Sequence, residues 1–336
     1  MAVKIAINGF GRIGKCAARI ILERNFAGED VELVAFNDTA TRDMTRYLLK
    51  YDSVHGEFKH DVRIIDDGHI EVDGKKIRVF STRDLNELNY ADYGVDVVLE
   101  CTGKFLTTEK CEPYLARGVK KVVMSAPAKD DTPTFVIGVN DDKYAGEAII
   151  SNASCTTNGL APVAKVLDEK FGIQKALMTT IHAYTHGQSL VDVKAKDFRR
   201  SRAAALNIAP TTTGAAKAIA KVLPQLNGKM HGQAVRVPVA NVSMVDLTAI
   251  LGKSASAEDI NAAFREAADG AMKGILLVDD DSRVSSDFCT SSYSSIVASD
   301  TTQVICGDMV KIFAWYDNEW GYSHRLIDLA LRAVKG

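Results

Sequence analysis

The segment Ser154-Cys155-Thr156-Thr157-Asn158 sets a thiol among hydroxyl and amide side chains, at the head of a stretch, 156–171, that is predicted to be helical. A thiol at a helix N-terminus meets unpaired backbone amides and the positive end of the helix dipole, which favour the thiolate and so suit a nucleophile. Cys16, Cys101, Cys289 and Cys306 lie in apolar or periodic contexts and read better as small hydrophobes. His182 falls on a predicted strand, 175–184, sharing a face with Met178 and Thr180, from which it could project toward the end of the Cys155 helix. An imidazole there would take a proton from the thiol or from the hydroxyl of a thiohemiacetal. Arg199, Arg200, Arg202 and Arg236 supply guanidinium forks that suit dianionic phosphate, and Thr211-Thr212-Thr213-Gly214 adds hydroxyls and amides before a predicted helix at 215–222. The competing reading of the arginine cluster is a solvated face or a subunit contact.

A second constellation lies at the other end of the chain. Gly9-Phe10-Gly11-Arg12-Ile13-Gly14 follows a strand-like run and opens a helix-like one, the setting in which glycines allow a tight turn, close approach to a pyrophosphate and close helix–strand packing. Asp38 ends the next strand-like run, the position from which a carboxylate accepts hydrogen bonds from ribose hydroxyls and favours NAD. Thr39 and Arg83 offer a hydroxyl and a guanidinium to a 2′-phosphate, so NADP is a second candidate cofactor.

These groups need elements to hold them. In the first half, strand-like runs at 3–7, 31–36, 95–101 and 119–125 alternate with helix-like runs at 12–24 and 110–117, which predicts βαβ units on a parallel sheet. Runs at 62–65, 70–72 and 75–80, the last two joined by Asp73-Gly74, predict an inserted antiparallel hairpin. Beyond Cys155 the pattern changes to a helix followed by long alternating runs at 234–251 and 304–315, predicting an α+β unit with a mostly antiparallel sheet. The polar stretch 185–207 is long for a structureless connection and is a candidate functional loop. The end of the chain, 322–334, reads as an amphipathic helix. The fold class expected is thus α/β: a Rossmann-type dinucleotide-binding domain plus an α+β catalytic domain.

A length of 336 residues exceeds what one core usually supports, so two domains are expected. A net charge of −2 provides no field to hold the chain on nucleic acid or an anionic membrane, and no apolar run approaches the ~20 residues of a membrane span. Six cysteines without a CxxC pair fit reduced thiols better than a disulfide framework or a zinc site, so no metal is expected. The first strand begins at once, without room for a secretory leader, and the expected location is cytoplasmic.

Four motifs together resemble the phosphorylating glyceraldehyde-3-phosphate dehydrogenase family: Asn8-Gly9-Phe10-Gly11-Arg12-Ile13-Gly14, Ser151-Asn152-Ala153-Ser154-Cys155-Thr156-Thr157-Asn158, Thr211-Thr212-Thr213-Gly214-Ala215-Ala216-Lys217 and Trp315-Tyr316-Asp317-Asn318-Glu319-Trp320-Gly321-Tyr322. The resemblance runs almost end to end. It implies a homotetramer that oxidises glyceraldehyde 3-phosphate in glycolysis or gluconeogenesis, passing a hydride to NAD and/or NADP and an acyl group to inorganic phosphate. It implies a dinucleotide-binding domain over 1–154, a catalytic domain over 155–317, and a C-terminal helix, 318–336, packed on the first. Position by position it makes Cys155 the nucleophile and His182 the base, with Gly9, Gly11, Arg12, Ile13, Gly14, Asp38, Arg83, Ser125 and Asn318 at the cofactor. Ser154, Thr156, Thr185, Arg202, Thr213, Gly214 and Arg236 would bind substrate phosphate and inorganic phosphate.

Three departures from the family pattern stand out. Asn37-Asp38-Thr39 replaces the usual Asn-Asp-Leu of NAD-specific members, and Lys194 replaces a loop proline; both point toward dual NAD and NADP use. Gly187 stands where an acidic or hydroxyl residue often sits, leaving one fewer side-chain contact to phosphate. The nearest enzymatic alternative is an erythrose-4-phosphate dehydrogenase, which hydrolyses its thioester; a non-enzymatic binding or adhesion protein is the alternative from another class.

Overall fold

A computed structural model describes all 336 residues, which divide into two compact units. The first comprises Met1–Phe135, Lys143–Ala153 and Ser323–Gly336; the second comprises Val136–Asp142 and Ser154–Tyr322. No helix is long and apolar enough to cross a membrane.

The first unit is built on β1 (Val3–Asn8), β2 (Val31–Asn37), β3 (Val62–Asp66), β4 (His69–Val72), β5 (Lys75–Phe80), β6 (Val97–Glu100), β7 (Lys121–Met124) and β8 (Ile149–Ser151). They form one sheet in the order β3-β4-β5-β2-β1-β6-β7-β8. From β5 to β8 neighbours run parallel, and the strand order reverses at β1. That reversal opens the crevice in which open α/β sheets bind dinucleotides. Helix α1 (Arg12–Phe26) buries Cys16, Ala17, Ala18, Ile20 and Ile21. Helix α2 (Arg42–Lys50) starts at Thr41, whose hydroxyl accepts from the Met44 amide, and α3 (Thr108–Ala116) starts at Thr107. The hairpin prediction holds: β3, β4 and β5 pair antiparallel, and Asp73 and Gly74 both take positive φ, 45° and 81°, as a primed turn requires. Helix α2 has no counterpart among the sequence expectations, because only Thr45 and Leu49 are buried along it and its apolar stripe is thin.

Beneath the strand ends, Glu100 is fully buried and accepts from Asn8 Nδ2 (2.9 Å), Tyr114 Oη (2.7 Å) and the Thr102 amide (2.7 Å). Asn37 donates to Asn8 Oδ1 (2.8 Å), so the ends of β1, β2 and β6 are tied through one polar network.

The second unit begins with α4 (Cys155–Phe171) and β9 (Ile173–Ala183), followed by β10 (Ala209–Thr211) and α5 (Ala215–Val222). The remainder is β11 (Met230–Val237), β12 (Ser243–Leu251), α6 (Ala257–Asp269), β13 (Leu276–Asp279), β14 (Ser295–Ala298), β15 (Gln303–Ile305) and β16 (Met309–Tyr316). Sheet order is β10-β11-β9-β12-β16-β14-β13, with β15 on β16; β9–β11 and β13–β14 are parallel and the other pairs antiparallel. The run 234–251 is two strands rather than one, broken where Val242 takes φ 66°. Residues 185–208 contain no regular helix or strand.

Candidate active site

Ser154 is the N-cap of α4: its backbone is extended and its Oγ accepts from the Thr157 amide (3.0 Å). Cys155 is therefore the first helical residue, partly exposed, with the amides of the first turn around it. Burial pushes the thiol above its ordinary value, and Arg236, the Thr156 side chain and the amides of Thr156 and Cys155 pull it back only in part. The helix terminus acts in the direction the sequence suggests, but desolvation outweighs it.

Along β9 the alternation buries Met178, Thr180 and His182 on one face, the face anticipated from period 2. His182 is 4% exposed, and its Nε2 stands 3.5 Å from Cys155 Sγ. Burial first, then the positive charge of Arg236, hold His182 down to about 3 against the opposing pull of the Ala183 carbonyl. At neutral pH the imidazole is uncharged.

Parallel pairing of β11 with β9 sets Arg236 opposite His182, and its Nη1 lies 2.7 Å from Nδ1. Arg200 donates from Nε to Thr211 Oγ1 (3.1 Å), and its charge acts on both His182 and Arg236. Arg202 is turned elsewhere, to Asp192 Oδ2 (2.7 Å), and Arg199 is exposed. Thr213 Oγ1 accepts from the Ala215 amide (3.2 Å), and Gly214 caps α5 without a side-chain bond, leaving amides of that turn uncapped. Thr185 is exposed, and a side chain added at Gly187 would find only Thr185 Oγ1 within 4 Å, at 3.8 Å.

Tyr316, fully buried on β16, is a residue that sequence reasoning did not single out. Its hydroxyl bonds Thr156 Oγ1 (2.9 Å) and Thr180 Oγ1 (2.7 Å), joining the first turn of α4 to β9. A Cβ at Gly159 would lie 2.9 Å from its ring, so the missing side chain lets the tyrosine pack against the helix. Strand alternation could have put Tyr316 on the inner face, but nothing in the sequence pairs it with Thr156. Next to it, Ser243 Oγ accepts from the Ala183 amide (3.0 Å) and donates to Asn318 Oδ1 (2.7 Å). Ser243 follows Val242, a buried β-branched residue at positive φ packed near Phe288 and Ile296.

In the first unit the glycines fit a dinucleotide on steric grounds. Gly9 has φ 94°, and a Cβ there would meet the Thr102 amide at 2.7 Å; one at Gly14 would lie 2.1 Å from the Gly9 carbonyl. Gly11 faces open space and caps α1 without a side-chain bond, and the first turn carries no acid. An anion therefore finds uncapped amides and an unobstructed backbone. Ile13 is partly exposed beside them, and Ser125 bonds Cys101. Asp38 accepts from Thr45 Oγ1 (2.8 Å) and the Ala40 amide (3.1 Å), while Thr39 and Arg83 are exposed.

Arg12 forms a two-pronged pair with Asp52, Nη2 to Oδ1 at 2.9 Å, and the Val54 and His55 amides also point at that carboxylate. Burial alone would raise Asp52, but these bonds together hold it well below the usual carboxylate range. Asp52→Asn should lower stability by about 2 kcal/mol at pH 7, since one partner of a mostly buried pair is removed. Because the folded-state pKa is depressed, the pair stabilises at neutral pH, and its contribution fades as pH falls below ~4. Urea melts of both proteins across pH 3–7 should therefore draw closer toward the acid end without meeting, because the folded-state carboxylate is still ionised there; parallel curves would assign the pair no linkage.

Residues 3–108 match the family described as "Glyceraldehyde 3-phosphate dehydrogenase, NAD binding domain", and residues 154–318 match its C-terminal domain. The chain is 54% identical over 331 residues to "Glyceraldehyde-3-phosphate dehydrogenase A, chloroplastic" of Chlamydomonas reinhardtii, covering 98% of this chain and 88% of that one. It is 51% identical over 332 residues to the glyceraldehyde-3-phosphate dehydrogenase of Geobacillus stearothermophilus, covering 98% of each. With that of Shimwellia blattae it shares 51% over 336 residues, all of both chains.

Proposed function

Because the chain belongs to the glyceraldehyde-3-phosphate dehydrogenase family, we propose that it oxidises glyceraldehyde 3-phosphate and phosphorylates the product through a thioester on Cys155. The observation that carries this reading is the Cys155 thiol at the first position of α4, with the neutral Nε2 of His182 at 3.5 Å.

The sulfur gives its proton to His182 and attacks the aldehyde carbon, and the carbonyl oxygen becomes a hydroxyl. As the carbon is oxidised, His182 removes the hydroxyl proton, leaving a thioester. A phosphate oxygen then attacks that carbon, the C–S bond breaks, and the acyl phosphate leaves behind a Cys155 thiolate. Arg200, Arg236 and the hydroxyl of Thr211 would orient the anions and offset their repulsion. Arg202 would join them only by leaving Asp192. When bound at the Gly9–Gly14 loop and Asp38, NAD or NADP supplies the two-electron oxidant. Dual use is supported by an Asp38 already engaged with Thr45 and by exposed Thr39 and Arg83.

The assembly proposed is a homotetramer. It is supported by the apolar side chains that one copy leaves in water on 185–208: Phe198 is 95% exposed, Leu206 82% and Leu190 81%. Six free cysteines and no disulfide support a reducing compartment, here taken to be the cytoplasm.

Initial rates with glyceraldehyde 3-phosphate, with and without inorganic phosphate and with each dinucleotide, test the proposal. Turnover should require phosphate and proceed with both cofactors, the preference between them within about tenfold, or about 1.4 kcal/mol. Phosphate-independent turnover would favour the erythrose-4-phosphate reading, and none at all the binding-protein reading.

A further inference from the structure

The residues just before Gly9, Asp38 and Arg83 are Asn8, Asn37 and Thr82, and they are bonded to one another. Asn37 Oδ1 accepts from the Thr82 amide (3.0 Å), while Asn37 Nδ2 donates to the Thr82 carbonyl (2.9 Å) and to Asn8 Oδ1 (2.8 Å). A peptide group cannot exchange its donor for its acceptor, so Thr82 fixes which way the Asn37 amide points. Asn37 in turn fixes Asn8, whose Nδ2 donates to Glu100 Oε2 (2.9 Å) and to Tyr114 Oη.

Glu100 ends this chain as an acceptor on both oxygens. Oε2 also accepts from Tyr114 Oη (2.7 Å), and Oε1 accepts from the amide (2.7 Å) and the hydroxyl of Thr102. None of these donors is a cation, so the carboxylate is not here as half of an ion pair. The Thr102 amide is also the atom that a Cβ at Gly9 would strike, and the Cys101 amide donates to the Asn8 carbonyl (2.7 Å), so Glu100 sits directly behind the glycine loop. The two hydroxyls can turn round; the Thr102 amide, and the Asn8 amide held by Asn37, cannot. Both carboxyl oxygens must therefore accept. A glutamine could not comply, because its nitrogen would face Asn8 Nδ2 in one orientation and the Thr102 amide in the other. Glu100 is fully buried, so neither mismatch can be relieved by water unless the turns move.

We infer that Glu100 is a positioning residue for the dinucleotide: it orients Asn8 and Asn37, and so presets the turns that carry Gly9, Asp38 and Arg83 before the cofactor arrives. Those turns follow three different strands, β1, β2 and β5, and would otherwise have to be ordered on binding. The carboxylate does this from beneath the site, through Asn8 and Thr102, without touching the cofactor. The inference rests on the dinucleotide reading made above, and adds the residue that keeps the empty site in its binding shape.

Moving the carboxylate one step along the chain tests it. Calorimetric titration with NAD, alongside urea unfolding, compares the wild type with Glu100→Gln, Asn8→Asp and the double variant. Glu100→Gln should weaken NAD binding about 10- to 100-fold, the cost of one unmet buried donor. Asn8→Asp should weaken it comparably, because it sets two carboxylates against each other. In the double variant the demands match again: the new glutamine donates to the new aspartate, whose other oxygen still accepts from Asn37, the glutamine oxygen keeps the Thr102 donors, and Tyr114 turns its hydroxyl to the aspartate. That protein should bind NAD within about threefold of the wild type. Glu100→Gln that unfolds at lower urea yet binds NAD as the wild type does would make Glu100 part of the fold alone and overturn the inference. A double variant no better than Glu100→Gln, in folding or in binding, would overturn it too. Wild-type protein that binds no NAD would remove the dinucleotide reading itself, whereas unchanged binding in Glu100→Gln leaves that reading standing and removes only this one.

Discussion

Cys155→Ser should lower kcat by about 10⁴-fold or more while leaving dinucleotide affinity unchanged, because the variant keeps the shape of the site and loses its nucleophile. An alcohol is a far weaker acid than a thiol, and His182, held down to about 3, is too weak a base to make up the difference. The hydroxyl also forms a poorer leaving group at the second step, so any ester that did form would resist phosphate. The affinity control matters: the glycine loop belongs to the first unit, and Cys155 to the second. Single-turnover kinetics with trapping of the acyl-enzyme, alongside dinucleotide titration by calorimetry, check both halves. A variant that turns over at more than about one hundredth of the wild-type rate would move the nucleophile to another residue.

Gly14→Ala should have the second largest effect, in the other unit. Its Cβ would come 2.1 Å from the Gly9 carbonyl and 3.3 Å from Ile7 Cγ2, where nothing flexible can yield. The loop must move, and Gly9 cannot follow easily, since its own position is pinned against Thr102. A loss of about 100-fold in dinucleotide affinity and a few kcal/mol in stability is expected. Alkylation of Cys155 should be unaffected, which separates damage to the loop from general unfolding. Unimpaired NAD and NADP binding by this variant would mean that the loop is not where the pyrophosphate sits.

How legible the molecule is from its sequence depends on how local each signal is. The glycine loop, the Asp73-Gly74 turn and the α4 N-terminus are short-range features, and each is found where the residue pattern suggests. Period 2 on β9 was enough to place His182, Thr180 and Met178 together. Contacts made across sheet register were not legible. That Arg236 faces His182 follows from parallel pairing of β11 with β9, and the sequence carries no mark of that pairing. The same holds for Tyr316, which reaches Thr156 from 160 residues away. The arginine cluster is legible as a set of guanidinium forks, but not which of them is engaged elsewhere, because the contacts of Arg202 and Ala203 with Asp192 are made within the 185–208 loop. Helix α6 was missed although Ser256 and Asp259 form a capping box, since the helix that follows buries only Ile260, Ala263 and Phe264.

Val242 carries a consequence of another kind. Its backbone is held at φ 66°, a conformation that costs a β-branched residue on the order of 1–3 kcal/mol, yet its side chain fills a pocket beside Phe288 and Ile296. Glycine would ease the backbone and empty the pocket; any larger residue would keep the pocket and the strain. No single-residue replacement improves both, so the position is a local trap on the mutational landscape, and escape from it needs two coordinated changes. Directed evolution by single steps would tend to pass around residue 242, improving the surface and leaving in place the bend that delivers Ser243 to Ala183 and Asn318.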